Sequence, residues 1–116
     1  MSDQAAVRKF TFDVDSAPGG MIVRCHGRLV AGQSDQLQSR IRQLIPDNKR
    51  IVLDLTDLAM MDSMGLGILV RLYVVAKAAG CELQLLNIGK RIQELLGMSN
   101  LLSVFTVIGE SNIRML

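Results

Sequence analysis

The sequence contains no tryptophan, and aromatic residues make up only 3% of it. Stacking platforms for unpaired bases are built on such rings, so their scarcity speaks against a single-strand-binding surface. A surplus of charge is also missing. Thirteen basic residues against 11 acidic ones leave a formal charge of +2, and the basic ones are scattered. That excludes the electrostatic footprint of a nucleic-acid binder. Cys25 and Cys81 are too few and too far apart for a disulfide framework or a metal knuckle, so two reduced, buried thiols are expected. The N-terminal "MSDQAAVRK" lacks the apolar centre of a signal peptide. The longest apolar stretch, "LGILVRLYVV", is short and broken by Arg71, so no membrane span is expected. What is present is a chain of 116 residues, 49% hydrophobic and 21% charged. These values point to one soluble, cytoplasmic globular domain spanning residues 1–116.

Along the chain, strand-like and helix-like patterns alternate without linker or repeat. "KFTFDV" (9–14) alternates like a half-buried strand, "SAPGG" reads as a turn, and "MIVRCHGRLV" resumes strand character until Gly27 interrupts it. In "SDQLQSRIRQLIP", Leu37, Ile41, Leu44 and Ile45 share a helical face, with Ser34 as N-cap and Pro46 as terminator. "RIVLDL" (50–55) is a continuous apolar run suited to a central strand covered on both faces. A helix is predicted over 65–79, a strand in "CELQLLNI", a short helix in "KRIQELLG" on the face of Ile92, Leu95 and Leu96, and a closing strand in "LLSVFTVI". Together these imply an α/β sandwich around a mixed sheet.

The stretch "MMDSMGLG" (60–67) sets an acid and a hydroxyl among apolar residues, just before two glycines. A hydrolase elbow requires glycine two residues before the serine, where Met61 stands, and a later histidine, whereas His26 lies upstream. A dinucleotide loop lacks its third glycine, since Val70 occupies that place, and Gly89-Lys90 has no upstream glycine at phosphate-loop spacing. Asp54, Asp57 and Asp62 gather near the end of the central strand and could hold Mg²⁺, but Asp54 and Asp57 also read as a strand-end acid and a turn former. The remaining reading is that Asp62 or Ser63 caps a helix starting near Met64. There a phosphoryl group on Ser63 would meet the free N–H groups and positive end of that helix.

These residues carry a resemblance. "GRLV" (27–30), "IVLDLTDLAMMDSMGLGIL" (51–69) and "GKRIQELLGMSNL" (89–101) are similar to the STAS domain family, specifically its stand-alone bacterial anti-sigma factor antagonists. The resemblance spans nearly the whole chain. It implies a STAS-type sandwich with a mixed β-sheet and helices mainly on one face. It implies that Ser63 is phosphorylated by an anti-sigma factor serine kinase and that a PP2C-type phosphatase reverses this. Unphosphorylated antagonist would bind the kinase and free the sigma factor. The antagonist itself would be no enzyme and would carry no cofactor or metal. Relatives usually have Ser, Thr or Ala where Met64 stands, acids where Arg28 and Val30 stand, and Gly where Asn100 stands.

On a helical wheel from Met64, Leu66, Leu69, Leu72, Tyr73 and Ala76 form a core face. Arg71 and Lys77 bracket Val74 opposite, with Gly67, Val70 and Ala78 nearby. A partner surface is therefore expected to include Asp62, Met64, Gly65, Leu66, Gly67, Arg71 and Val74. A weak homodimer is also compatible with the sequence. The competing reading is a STAS scaffold or nucleotide- or ligand-sensing module in a larger assembly, with Ser63 only a cap.

Overall fold

The alternating pattern near the N-terminus closes a hairpin. In the computed structural model, which describes residues 9–90, 93, 94, 106–108, 114 and 115, β1 (Thr11–Ala17) pairs antiparallel with β2 (Gly20–Leu29). The connection narrows to Pro18 and Gly19. Gly19 has φ +78, a conformation that glycine supplies without the strain of a side chain. Gly27 does not interrupt β2 as expected. It stays within the strand at φ +88, where a Cβ would lie 2.1 Å from the Lys9 carbonyl oxygen.

α1 (Asp35–Leu44) follows, ended by a 3₁₀ turn, Ile45–Asp47, that contains Pro46. Ser34 occupies the N-cap position but caps nothing: at φ −123, ψ −1 it lacks the extended backbone that swings a capping hydroxyl over the first turn. β3 runs from Arg50 to Met61, twice the predicted length, and absorbs the first two methionines of the "MMDSMGLG" stretch. α2 (Ser63–Ala78) then leads to β4 (Glu82–Leu86). β5 (Thr106–Ile108) and β6 (Arg114–Met115) complete a sheet whose spatial order is the sequence order. Its three inner pairings are parallel and its two outer ones antiparallel. Lys90, Gln93 and Glu94 are helical. The predicted apolar face of that helix, Ile92, Leu95 and Leu96, lies outside the described residues, as does Asn100.

Two parallel crossovers advancing in the same direction place both helices on one face of the sheet. The core confirms it. Val23, Cys25 and Leu29 of β2, Ile51, Leu53 and Leu55 of β3, and Leu83 and Leu85 of β4 pack with Leu37 and Ile41 of α1 and with Leu66, Ile68, Leu69, Leu72 and Ala76 of α2. The alternate residues of the strands form the other face, where Asp13, Asp15, Arg24, His26 and Asp54 stand. The mixed sheet with helices on one side is the expected α/β architecture.

β3 outruns its neighbour because it bulges twice. Arg24 and His26 of β2 face Asp54 and Asp57, and Gly27 and Arg28 face Leu58 and Met60. Each bulge inserts a residue and reverses which side chains point to the core. Asp57 is therefore a strand residue on the polar face, not a turn former.

Candidate functional site

Because β2 and β3 are parallel and end in register at Leu29 and Met61, α1 and α2 both start at the same edge of the sheet. Ligands of α/β sheets bind at this edge, beyond the carboxyl ends of the strands. Asp62 turns the corner from β3 into α2. Its backbone is extended, at φ −104 and ψ −174, and its carboxylate accepts the Gly65 N–H at 2.9 Å. This is an N-cap bond to the third helical residue, worth about 1 kcal/mol. Ser63 is therefore the first residue of the helix and not its cap. It is exposed, and no cap bond occupies its hydroxyl. The first N–H groups of a helix have no intrahelical partner, so Ser63 stands at the positive end of the α2 dipole.

The two glycines of the motif do different work. A Cβ on Gly65 would lie 2.2 Å from the Leu29 carbonyl oxygen and 2.7 Å from Met61 Cγ, so this glycine seats the helix directly on the end of β2. A Cβ on Gly67 would meet nothing within 4 Å beyond the backbone of its own helix. Asp62 is half-buried, while Met64, Gly67, Arg71 and Val74 face solvent along with Ser63. Gly65 and Leu66 do not: both are buried, Leu66 within the core cluster. Their expected place on the partner surface is corrected by the helix register, which turns residues 65, 66, 69, 72 and 76 toward the sheet. Ile68 joins that buried side, and Tyr73 is half-buried, its ring under the Lys77 ammonium at 5.7 Å. Met61 is buried as well. Met60, which sequence reasoning left out, is 40% exposed, beside Met64 at 59% and Val74 at 58%. These are the exposed large apolar side chains among the described residues, and two of them flank Asp62-Ser63 in the chain.

The three acids that could have formed a metal site are employed separately. Asp54 accepts from the Thr56 N–H at 3.0 Å, Asp57 is bonded to His26, and Asp62 caps α2. His26 lies between two carboxylates, with Nδ1 2.7 Å from Asp57 and Nε2 2.9 Å from Asp13. The hydrogen bonds to Asp57 and then Asp13 raise its pKa above the ordinary histidine value, against a small opposing effect of burial. Arg24 lies against Asp15 and within 3.9 Å of Asp54 on the same sheet face. No sequence motif signalled this ladder, because the first bulge of β3 is what brings Asp57 to the face of Asp54. Cys25 and Cys81 are free and buried. Burial, with Asp54 nearby, pushes the Cys25 thiol up to about 12, and burial followed by Glu82 raises that of Cys81.

This arrangement of sheet, helices and serine corner has counterparts among known proteins. Residues 11–113 match the model of the STAS domain. The anti-sigma F factor antagonist of Paenibacillus polymyxa is 31% identical over 91 residues, 77% of this chain and 78% of that protein. An anti-sigma factor antagonist from Mycobacterium paratuberculosis superposes with a TM-score of 0.75 at 20% identity, over 85% of each chain. The Bacillus cell fate determinant SpoIIAA in its phosphorylated form does so at 0.69 and 20% identity, over 87% of this chain and 94% of that one. The structural likenesses speak for the fold; the domain match and the sequence relative speak for descent. By its fold, its match over residues 11–113 and its Paenibacillus relative, the chain belongs to the STAS domain family.

Proposed function

We propose that this protein is a single-domain, cytoplasmic anti-sigma factor antagonist. It is a binding module that occupies an anti-sigma factor serine kinase while Ser63 is unmodified, and so frees the sigma factor. The observation that carries the reading is the division of labour at the start of α2. Asp62 holds the helix end, which leaves the Ser63 hydroxyl exposed and without structural duty. The name of the Paenibacillus relative supports the same assignment. Docking rests on the outward strip of α2, namely Ser63, Gly67, Arg71 and Val74, with Met64 beside it and Asp62 at its end.

Phosphorylation of Ser63 adds a charge of about −1.5 to −2 at neutral pH. At an interface centred on Met64 that charge must be desolvated and set beside Asp62. A penalty of about 3 kcal/mol lowers affinity more than 100-fold. A PP2C-type phosphatase restores binding by removing the group.

Calorimetric titration against the partner kinase tests the proposal. Ser63→Ala is expected to bind like the unmodified protein and accept no phosphate. Ser63→Asp is expected to bind at least about tenfold more weakly, a loss of about 1.4 kcal/mol. Equal affinity of Ser63→Asp and the parent, with no phosphate transferred to Ser63, would refute it.

A further inference from the structure

Between the starts of α1 and α2 lies a cavity of about 280 Å³. Its walls include Gly32, Ser34, Asp35, Ser63, Gly67 and Arg71. Ser34 is unusual in this wall. It is only 5% exposed, its side chain makes no cap bond to α1, and its hydroxyl has no hydrogen-bond partner among the described residues. An unpartnered hydroxyl that opens on a cavity is free to donate to an acceptor bound there. Two helix N-termini converge on the same space, and at α1 the N-cap side chain satisfies none of the first-turn N–H groups.

Arg71 supplies the opposite charge. Ser63, Gly67 and Arg71 follow one another at four-residue spacing along one face of α2. Arg71 is thus about 12 Å from Ser63 along the axis, and helical side chains lean toward the N-terminus. Gly67, with open space around it, puts no side chain in the way. Two carboxylates border the cavity region, Asp35 from its wall and Asp62 from the α2 cap, and neither can donate a hydrogen bond to an anion when ionised.

We infer that this cavity is an intramolecular seat for a phosphate monoester: the phosphoryl group carried by Ser63 folds into it, takes a hydrogen bond from Ser34 Oγ and faces the Arg71 guanidinium. The inference rests on the proposal that Ser63 is modified and specifies where the modified side chain goes. In the seat the phosphoryl group covers the groove between α1 and α2 as well as altering the charge at the corner. Ser34 and Arg71 are then positioning residues for the phosphorylated state, a role that Arg71 adds to its place on the docking strip.

The test installs phosphoserine at position 63 during translation, so it does not depend on any kinase, and follows its phosphorus NMR signal against pH. Free phosphoserine has a second pKa of about 6. In the seat, hydrogen bonding and the guanidinium favour the dianion, so the value in the parent should be lower by about half a unit or more. Ser34→Ala and Arg71→Gln should each return it toward that of a denatured control. Ser34→Thr, which keeps the hydroxyl, and Arg71→Lys, which keeps the charge, should retain most of the shift. Asp35→Asn should lower the value further. Arg71 is exposed, so its variants report on the seat even where a change at buried Ser34 disturbs folding. A titration that is identical in the parent, Arg71→Gln and Asp35→Asn, and that matches the denatured control, overturns the seat. Such a result would leave the calorimetric test of partner binding untouched. Conversely, failure of partner binding would not alter the phosphorus titration.

Discussion

Exchanging each motif glycine for alanine in turn gives opposite outcomes from the same chemical change. In a helix interior, glycine is less favourable than alanine by about 0.8–1 kcal/mol. Gly67 lies in α2 with nothing within 4 Å of where a Cβ would stand, so Gly67→Ala should gain most of that, about 0.5–1 kcal/mol. Gly65 offers the same propensity gain, but its Cβ would meet a backbone oxygen, that of Leu29, at 2.2 Å. Unlike the Met61 side chain, this oxygen cannot rotate away, so α2 must lift from the end of β2. Overpacking costs about 1–3 kcal/mol, and an overlap of this depth belongs at the upper end, leaving a net loss of about 2 kcal/mol. The two variants should therefore differ by about 3 kcal/mol, or about 10 °C or more in melting temperature for a domain of this size. Urea unfolding with a shared slope, checked by thermal melts, measures it. Gly65→Ala as stable as the parent would refute the close seating of α2, and Gly67→Ala less stable than the parent would refute the open space around residue 67.

The cap assignment predicts that Asp62→Ala loses about 1 kcal/mol in the same assay while Ser63→Ala changes stability little, because only Asp62 bonds the helix N–H. The His26 pKa is raised in the folded protein by Asp57 and Asp13. Its contribution to stability is present below the unfolded histidine value of about 6.5 and is lost as pH rises through the folded value. Asp57→Asn should bring the NMR titration of the His26 ring back toward the unfolded value and flatten that pH dependence. With its thiol pushed up to about 12 by burial, Cys25 should resist iodoacetamide in the native protein at neutral pH and react once urea unfolds it. Native-state alkylation at the rate of a free thiol would contradict the burial.

Periodicity was enough to place most of this fold, since a pattern repeats along every element that buries one face. Leu37 and Ile41 marked α1, and the run at residues 51–55 marked the central strand. Patterns failed where β3 carries one residue more than the β2 segment beside it. The bulges of β3 reverse the alternation, so Leu58 to Met61 carried no readable strand signal and Asp57 looked like a turn. The Ser63 motif was legible because it is local. What caps the helix was left open between Asp62 and Ser63, and the extended backbone of Asp62 with its hydrogen bond from Gly65 decided it. Gly65 and Leu66 were misplaced on the docking face because the motif was treated as one surface, whereas three successive helical residues span most of a turn. His26 between Asp13 and Asp57, and Ser34 unpartnered in its cavity, arise from contacts between distant segments, on which local spacing is silent.

The separation of cap from serine at the start of α2 has a consequence for how the position can change over time. A residue that both anchors a helix and receives a signal is constrained twice, and most exchanges there would be removed for instability before their effect on signalling could matter. At position 63 the first constraint is absent. Asp62 keeps the helix end closed whatever follows it, so alanine, threonine or aspartate can stand at 63 in an equally folded protein. Fixed-off, fixed-on and switchable versions of the surface then lie one substitution apart, with no unstable intermediate between them. On the proposed reading, the chain can thus gain or lose its switch without having to rebuild its fold.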